Sequence, residues 1–205
     1  MIEGQEVKRF DLLKCTFIIP LRIETADRMR NIITTLIYLT RNFACRIIVK
    51  EVDKESVYLR EVKPLLEQAL EPEMLASIHH IFEESDDFTF HRTKILNDML
   101  WMVETPVVAN YDSDILLPLD SYINATNMIL KGWVHPDAEG GQPVKCVYPY
   151  GLGEYQYQCH IADEHATAFI NSGFNFEAFN GRLRKWDAKY GFCQFFETEE
   201  YKRLG

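Results

Sequence analysis

The sequence predicts an α/β fold: a mostly parallel sheet flanked by helices. Short apolar, β-branched runs alternate with stretches of 3.6-residue periodicity from about Lys14 to Tyr148. The acidic residues Glu24, Glu51 and Asp112 fall just past the ends of such runs. In a parallel sheet that rim is where ligands bind. The composition, 47% hydrophobic and 26% charged over 205 residues, suits one globular domain with a sizeable core.

Thr16-Phe17-Ile18-Ile19 is β-branched and aromatic, and Pro20 is expected to end it as a strand. Thr25 caps a helix whose stripe is Met29, Ile32, Ile33, Leu36 and Ile37. Arg46-Ile47-Ile48-Val49 is the second strand, closed by Glu51-Val52-Asp53. A helix over about Val57 to Leu70 follows, with Pro64 disfavouring its middle. Ile78 to Phe82 reads as a third strand. Ile95, Leu96, Met99, Leu100 and Val103 mark another helix, and Pro106 to Tyr111 a buried strand that runs into Asp112-Ser113-Asp114. Residues 149–192 are rich in glycine and aromatics with weak periodicity, and read as a loop-rich region over the crevice. Cys193 to Phe196 resumes a strand, and a short helix from Glu199 reaches Gly205.

The formal net charge is −9, which argues against nucleic acid or an anionic membrane as the main partner. A phosphorylated ligand remains compatible if a cation or a local basic cluster offsets the repulsion. The five cysteines form no C-x-x-C pair and sit among apolar residues, as expected of a reduced, cytoplasmic protein. No apolar run is long enough for a membrane span, and Met1 to Glu6 lacks the features of a secretion signal.

Three local groupings carry chemistry. Asp112 and Asp114, two apart at a strand end, suit a divalent cation held by oxygen ligands. Arg92 and Lys94, at the start of a helix behind Phe90, place positive charge where a helix amino terminus already favours phosphate. Pro20-Leu21-Arg22-Ile23-Glu24 brings an arginine and an acid to the end of the first strand.

Together these groupings resemble the nucleotide-sugar half of the GT-A glycosyltransferases, in particular the family 2 enzymes and the β-1,4-galactosyltransferase group. Pro20-Leu21-Arg22 is similar to that group's proline-aromatic-arginine turn, with leucine in the aromatic position. Phe90 to Asn97 keeps Phe90, Arg92, Lys94, Leu96 and Asn97 of a Phe-Asn-Arg-Ala-Lys-Leu-Leu-Asn segment. Tyr148-Pro149-Tyr150 resembles the tyrosine-proline stretch that comes next. The likeness covers about 14–150, the nucleotide-sugar part, and resumes at 191–205, within a single domain spanning 1–205.

The resemblance implies a site in which Pro20, Leu21, Arg22 and Glu24 surround the base, Phe90 stacks on it, and Glu51 lies near the uracil or ribose. It implies that Arg92 and Lys94 face the sugar-nucleotide, with Asp112 and Ser113 near the ribose. Asp112 and Asp114 then bind Mn2+ or Mg2+ on the diphosphate. The implied reaction is transfer of a hexose from a nucleotide sugar, UDP-linked, to a hydroxyl of a glycan or other acceptor.

The family's later Gly-Gly-x-Asn-Glu and Trp-Gly-x-Glu-Asp motifs, the second of which supplies a general base, have no counterpart in Gln194 to Gly205. No base is therefore named. Binding of a nucleotide sugar without turnover stays beside transfer as a reading. A third is an aspartate-nucleophile phosphatase with Asp112 attacking phosphorus and Asp114 as the acid.

Overall fold

The computed structural model describes residues 9–137, 139–150, 156–185 and 191–204. Its strands are β1 (Phe10–Leu21), β2 (Phe43–Asp53), β3 (Ile78–Glu84), β4 (Val107–Tyr111), β5 (Cys146–Val147), β6 (Tyr157–Cys159), β7 (Leu183–Lys185) and β8 (Cys193–Glu197). Six of them form one sheet in the order β3-β2-β1-β4-β8-β5, while β6 and β7 pair separately. The pairs β1–β2, β2–β3 and β1–β4 are parallel, and β8 runs antiparallel to both neighbours. The predicted α/β class, a mostly parallel sheet flanked by helices, is the one observed.

The helices are α1 (Ala26–Asn42), α2 (Lys63–Ala69), α3 (Pro72–Ala76), α4 (Arg92–Leu100), α5 (Leu119–Leu130), α6 (Asp163–Asn171) and α7 (Thr198–Leu204). One sheet face packs against Ile32 and Leu36 of α1, Leu66 of α2, Tyr122 and Ile129 of α5 and Phe169 of α6. The other face packs against Ile95, Leu96, Met99 and Leu100 of α4, with Tyr201 of α7 at its margin. Within β1, Phe17 and Ile19 join the first cluster and Ile18 the second, and all three are fully buried. A strand covered on both sides needs apolar residues at every position, which is why its sequence does not alternate. All five cysteines are free. Among the described residues, no helix is long and apolar enough to cross a membrane.

The structure departs from the sequence reading at several places. Pro20 does not end β1, because pairing with β4 stops at Ile18 while pairing with β2 continues to Leu21. From Ile19 onward one flank of the strand is open, and there a missing N–H removes no ladder bond. Pro64 does not break its helix either. A π-helical turn over Tyr58–Val62 precedes α2, and the Lys63 amide donates to the Tyr58 carbonyl five residues back. The wider turn shifts the ladder just before the residue that lacks a donor.

Helix α5 was absent from the reading although Tyr122, Ala125, Thr126 and Ile129 lie on one buried stripe. It ends where Gly132 takes φ +59 and the Trp133 amide reaches back to Met128, a left-handed cap that favours glycine. The region 149–192 is more regular than expected, since 156–185 holds α6 and the β6–β7 pair. The ring of Phe169 in α6 lies 5.8 Å from that of Tyr38 in α1, so this part packs against α1 within the main core. Two of the aromatics of that region, Tyr155 and Trp186, lie outside the described residues.

Candidate functional site

β4 is buried along its whole length, and the chain leaves the sheet directly after it at Asp112. The Asp112 amide donates to the Phe192 carbonyl (2.9 Å), which ties the first acid to the start of β8. Arg92, the first residue of α4, donates to Asp112 Oδ1 from Nε (3.0 Å) and from Nη2 (2.6 Å). The same Nη2 reaches Asn110 Oδ1 (3.1 Å) and the Gly191 carbonyl (3.2 Å). Asn110 in turn donates to Gln194 Oε1 across the β4–β8 pair (2.7 Å). Both Arg92 bonds fall on one oxygen of Asp112, so the carboxylate is oriented with its second oxygen turned away from the arginine.

Burial pushes the Asp112 carboxyl above the ordinary aspartate value; Arg92 opposes the shift, and the nearby Asp114 charge adds to it. Asp114 opens to solvent, yet the protein crowded around it also raises its carboxyl, with Arg28 opposing. Arg28, in the first turn of α1, thus lies close enough to act on both acids. Its own partner is Glu24, 3.5 Å away, with both side chains about half exposed. Burial thus disfavours the charged form of both carboxylates, and the two arginines offset it only in part.

The remaining predicted residues fall into three places. Arg22 is buried and donates to three backbone carbonyls, those of Val52 (2.9 Å), Phe88 (3.0 Å) and Asp87 (3.0 Å). It lies over the half-buried Phe90 ring, 5.5 Å from its centroid. The ring standing in solvent is Phe88, 91% exposed. Pro20 and Leu21 are buried at the end of β1, and Glu24 is exposed.

Glu51 is fully buried, with Oε2 accepting from Ser56 Oγ (2.5 Å) and Oε1 from the Tyr58 amide (3.0 Å). His80 Nε2 lies 3.2 Å from Oε2, and its ring stacks on Tyr58 at 3.9 Å. Burial alone would raise the Glu51 carboxyl; the bonds from His80, Ser56 and Tyr58 overcome it and hold the group below the usual range. Its oxygens are therefore engaged inside the protein.

Lys94 faces away from Arg92, because residues two apart on a helix do not share a side. It pairs with Asp98 at 3.0 Å, the acid that also receives the buried Lys50 at 2.7 Å. Lys50 further bonds Glu83 at 2.7 Å, so Lys94 belongs to an ion-pair cluster on the α4 side of the sheet. Ser113 offers its carbonyl to Thr35 Oγ1 of α1 (3.1 Å).

The sequence reading missed Asn110, Gln194 and Arg28. The first two had a signal: each is a lone polar residue within an apolar strand, which implies a buried partner. Arg28 had none, since its nearness to Asp112 depends on the crossing of α1 over the sheet.

Among the described residues, no three His, Cys, Asp or Glu side chains gather as a metal cage. The donor set instead fits Mg2+ or Mn2+, which bind through one or two carboxylates and complete their shell with water and phosphate oxygens. Glu197, Glu199 and Glu200 pair with Lys145, Lys202 and Arg203 respectively.

No protein-family model matches this sequence, and no curated protein matches it. Among solved structures, the mannosyltransferase PcManGT from Pyrobaculum calidifontis, in complex with GDP-Man and Mn2+, is 18% identical with a TM-score of 0.49, covering 94% of this chain and 46% of that one. S. aureus TarS 1-349 is 11% identical with a TM-score of 0.48, covering 93% and 48%. Glucosyl-3-phosphoglycerate synthase from Mycobacterium tuberculosis, in complex with UDP, is 12% identical with a TM-score of 0.41, covering 90% and 57%. The chain spans about half the length of these structures.

Proposed function

We propose that this chain is a GT-A-type glycosyltransferase domain that binds a nucleotide sugar, UDP-linked, through Mn2+ or Mg2+ and transfers its hexose to a hydroxyl of a glycan or other acceptor. The observation that carries the reading is the carboxylate pair Asp112 and Asp114 just past the carboxyl end of β4, the first of them oriented by Arg92. The motif resemblance of Pro20 to Glu24 and Phe90 to Asn97 supports it.

In this reading Asp112 and Asp114 hold the cation against the diphosphate. Arg92 fixes which oxygen of Asp112 is presented and adds a positive charge at the same spot. Transfer breaks the bond between the sugar C1 and the diphosphate oxygen, so negative charge grows on the diphosphate; the bound metal supplies neutralisation there. The bond that forms joins C1 to the acceptor oxygen, whose proton must leave to a base. Arg22 and Phe90 shape the wall beside the base-binding end, and Glu51 holds the turn before α2. Ser113 lies between the two acids, while Lys94 stays outside this set.

Glu197, Glu199 and Glu200 are each paired with a cation, so the base that takes the acceptor proton is not assigned to them.

Thermal melting with UDP or GDP, with Mn2+, with both, and with chelator tests the reading. Ligand at a hundred times its dissociation constant adds about 2.7 kcal/mol, a rise of roughly 5–10 °C for a chain of this size. The rise is expected only with nucleotide and metal together, and chelator reverses it. An unmoved melt under all conditions removes the proposed site. Hydrolysis of UDP-hexose by the chain decides for turnover over binding alone.

A further inference from the structure

The acids sit on a segment, 112–118, that has no regular structure, yet its backbone is held at every second residue by hydroxyls from other elements. Thr35 of α1 donates to the Ser113 carbonyl (3.1 Å), and Tyr111 of β4 donates to the Ile115 carbonyl (2.6 Å). Tyr122 of α5 accepts from the Leu117 amide (3.1 Å), and Tyr38 of α1 donates to the Leu117 carbonyl (2.6 Å). The Tyr111 and Tyr122 hydroxyls are themselves 2.6 Å apart.

A phenol has one proton, and that of Tyr111 goes to Ile115. Tyr122 must then donate to Tyr111, which gives the chain a direction: Leu117 N–H to Tyr122, Tyr122 to Tyr111, Tyr111 to the Ile115 carbonyl. The relay leaves the segment at Leu117 and re-enters it at Ile115, pinning both ends of one turn. Tyr38, Tyr111, Tyr122 and Thr35 are each at most 1% exposed, so no water competes for these bonds.

We infer that Tyr111, Tyr122, Tyr38 and Thr35 are positioning residues for the Asp112–Asp114 cation site: they hold the segment in the shape that presents both carboxylates to one ion. The inference rests on the proposed role of the acid pair. None of the four touches the cation or the nucleotide. They act through the backbone, as partners behind metal ligands generally do, and their loss lowers metal affinity about 10- to 100-fold.

The experiment measures Mn2+ affinity with UDP present, by the electron paramagnetic resonance signal of free Mn2+, for the whole chain and for Tyr122→Phe, Thr35→Val and Thr35→Ser. Leu117 amide exchange is followed by NMR in the same samples and is expected to quicken in Tyr122→Phe, which removes its acceptor. Tyr122→Phe and Thr35→Val are expected to weaken Mn2+ binding about tenfold or more while the protein stays folded. Thr35→Ser, which keeps the hydroxyl, is expected to restore it. Ile129→Val, a core change remote from the segment, controls for lost stability and should leave the affinity unchanged. Equal Mn2+ affinity in Tyr122→Phe and the parent chain overturns the inference, as does a Thr35→Ser variant no better than Thr35→Val. If the parent chain binds no Mn2+, the acid-pair reading itself falls. That failure is distinguishable because it appears before any substitution is made.

Discussion

Asp114 and Glu51 are both acids set into protein, and their surroundings move them in opposite directions. Asp114 and Asp112 are raised above the roughly 3.9 of free aspartate, so the folded chain binds their protons more tightly than the unfolded chain does. Their ionised forms therefore detract from stability above the raised values, and the penalty fades as pH falls through them. Asp114→Asn without metal should then leave the melting temperature at neutral pH unchanged or higher. The same change should weaken Mn2+ binding at least about tenfold in a titration with UDP, because a ligand carboxylate is gone. Glu51 is lowered instead, so its contribution is present above the unfolded value of about 4.3 and is lost as pH falls through the folded one. Removing it leaves His80, Ser56 and the Tyr58 amide without their shared acceptor. Glu51→Ala should cost roughly 3–5 kcal/mol and lower the melting temperature by roughly 6–20 °C in a scan at neutral pH. A drop under about 2 °C would mean that the cluster contributes little.

At the scale of elements, helix geometry separates residues that the sequence groups together. Arg92 and Lys94 looked like one basic cluster, but the turn of α4 sends the first to Asp112 and the second to Asp98. Arg92→Ala should weaken UDP–Mn2+ binding, whereas Lys94→Ala should leave it within about twofold by the same titration. Thr25 is a case where local chemistry was enough. It has extended backbone and accepts from the Arg28 amide at 3.2 Å, so Thr25→Ala should cost about 1 kcal/mol, or roughly 2–4 °C of melting temperature. The central strands were legible because short apolar runs have few other uses. Their lengths were not, since Pro20 is tolerated only where β4 has stopped pairing. The acid pair was legible as well, because it directly follows an apolar strand. Part of what holds it was hidden, because Arg28, Thr35, Tyr38 and Tyr122 meet it only through the packing of distant elements, whereas Asn110 and Gln194 are marked as lone polar residues in apolar strands.

For the molecule as a whole, the net charge of −9 favours the approach of cations over anions, so under the proposed function a nucleotide is expected to bind together with a cation. Mn2+ is attracted and free nucleotide repelled, and salt screens both over a Debye length of about 8 Å at physiological strength. Raising salt from low to physiological strength should therefore weaken Mn2+ binding and should not weaken metal-free UDP binding, as measured by calorimetry. The antiparallel insertion of β8 between β4 and β5 has a consequence in time. Gln194 meets Asn110 across 84 residues of chain, and the Phe192 carbonyl that fixes the Asp112 amide comes from the same late segment. At about 5–20 residues per second of synthesis, the acids emerge roughly 4–17 s before the strand that completes their floor. For that interval a nascent chain carries its two carboxylates without the late strand whose neighbouring carbonyl fixes the first of them.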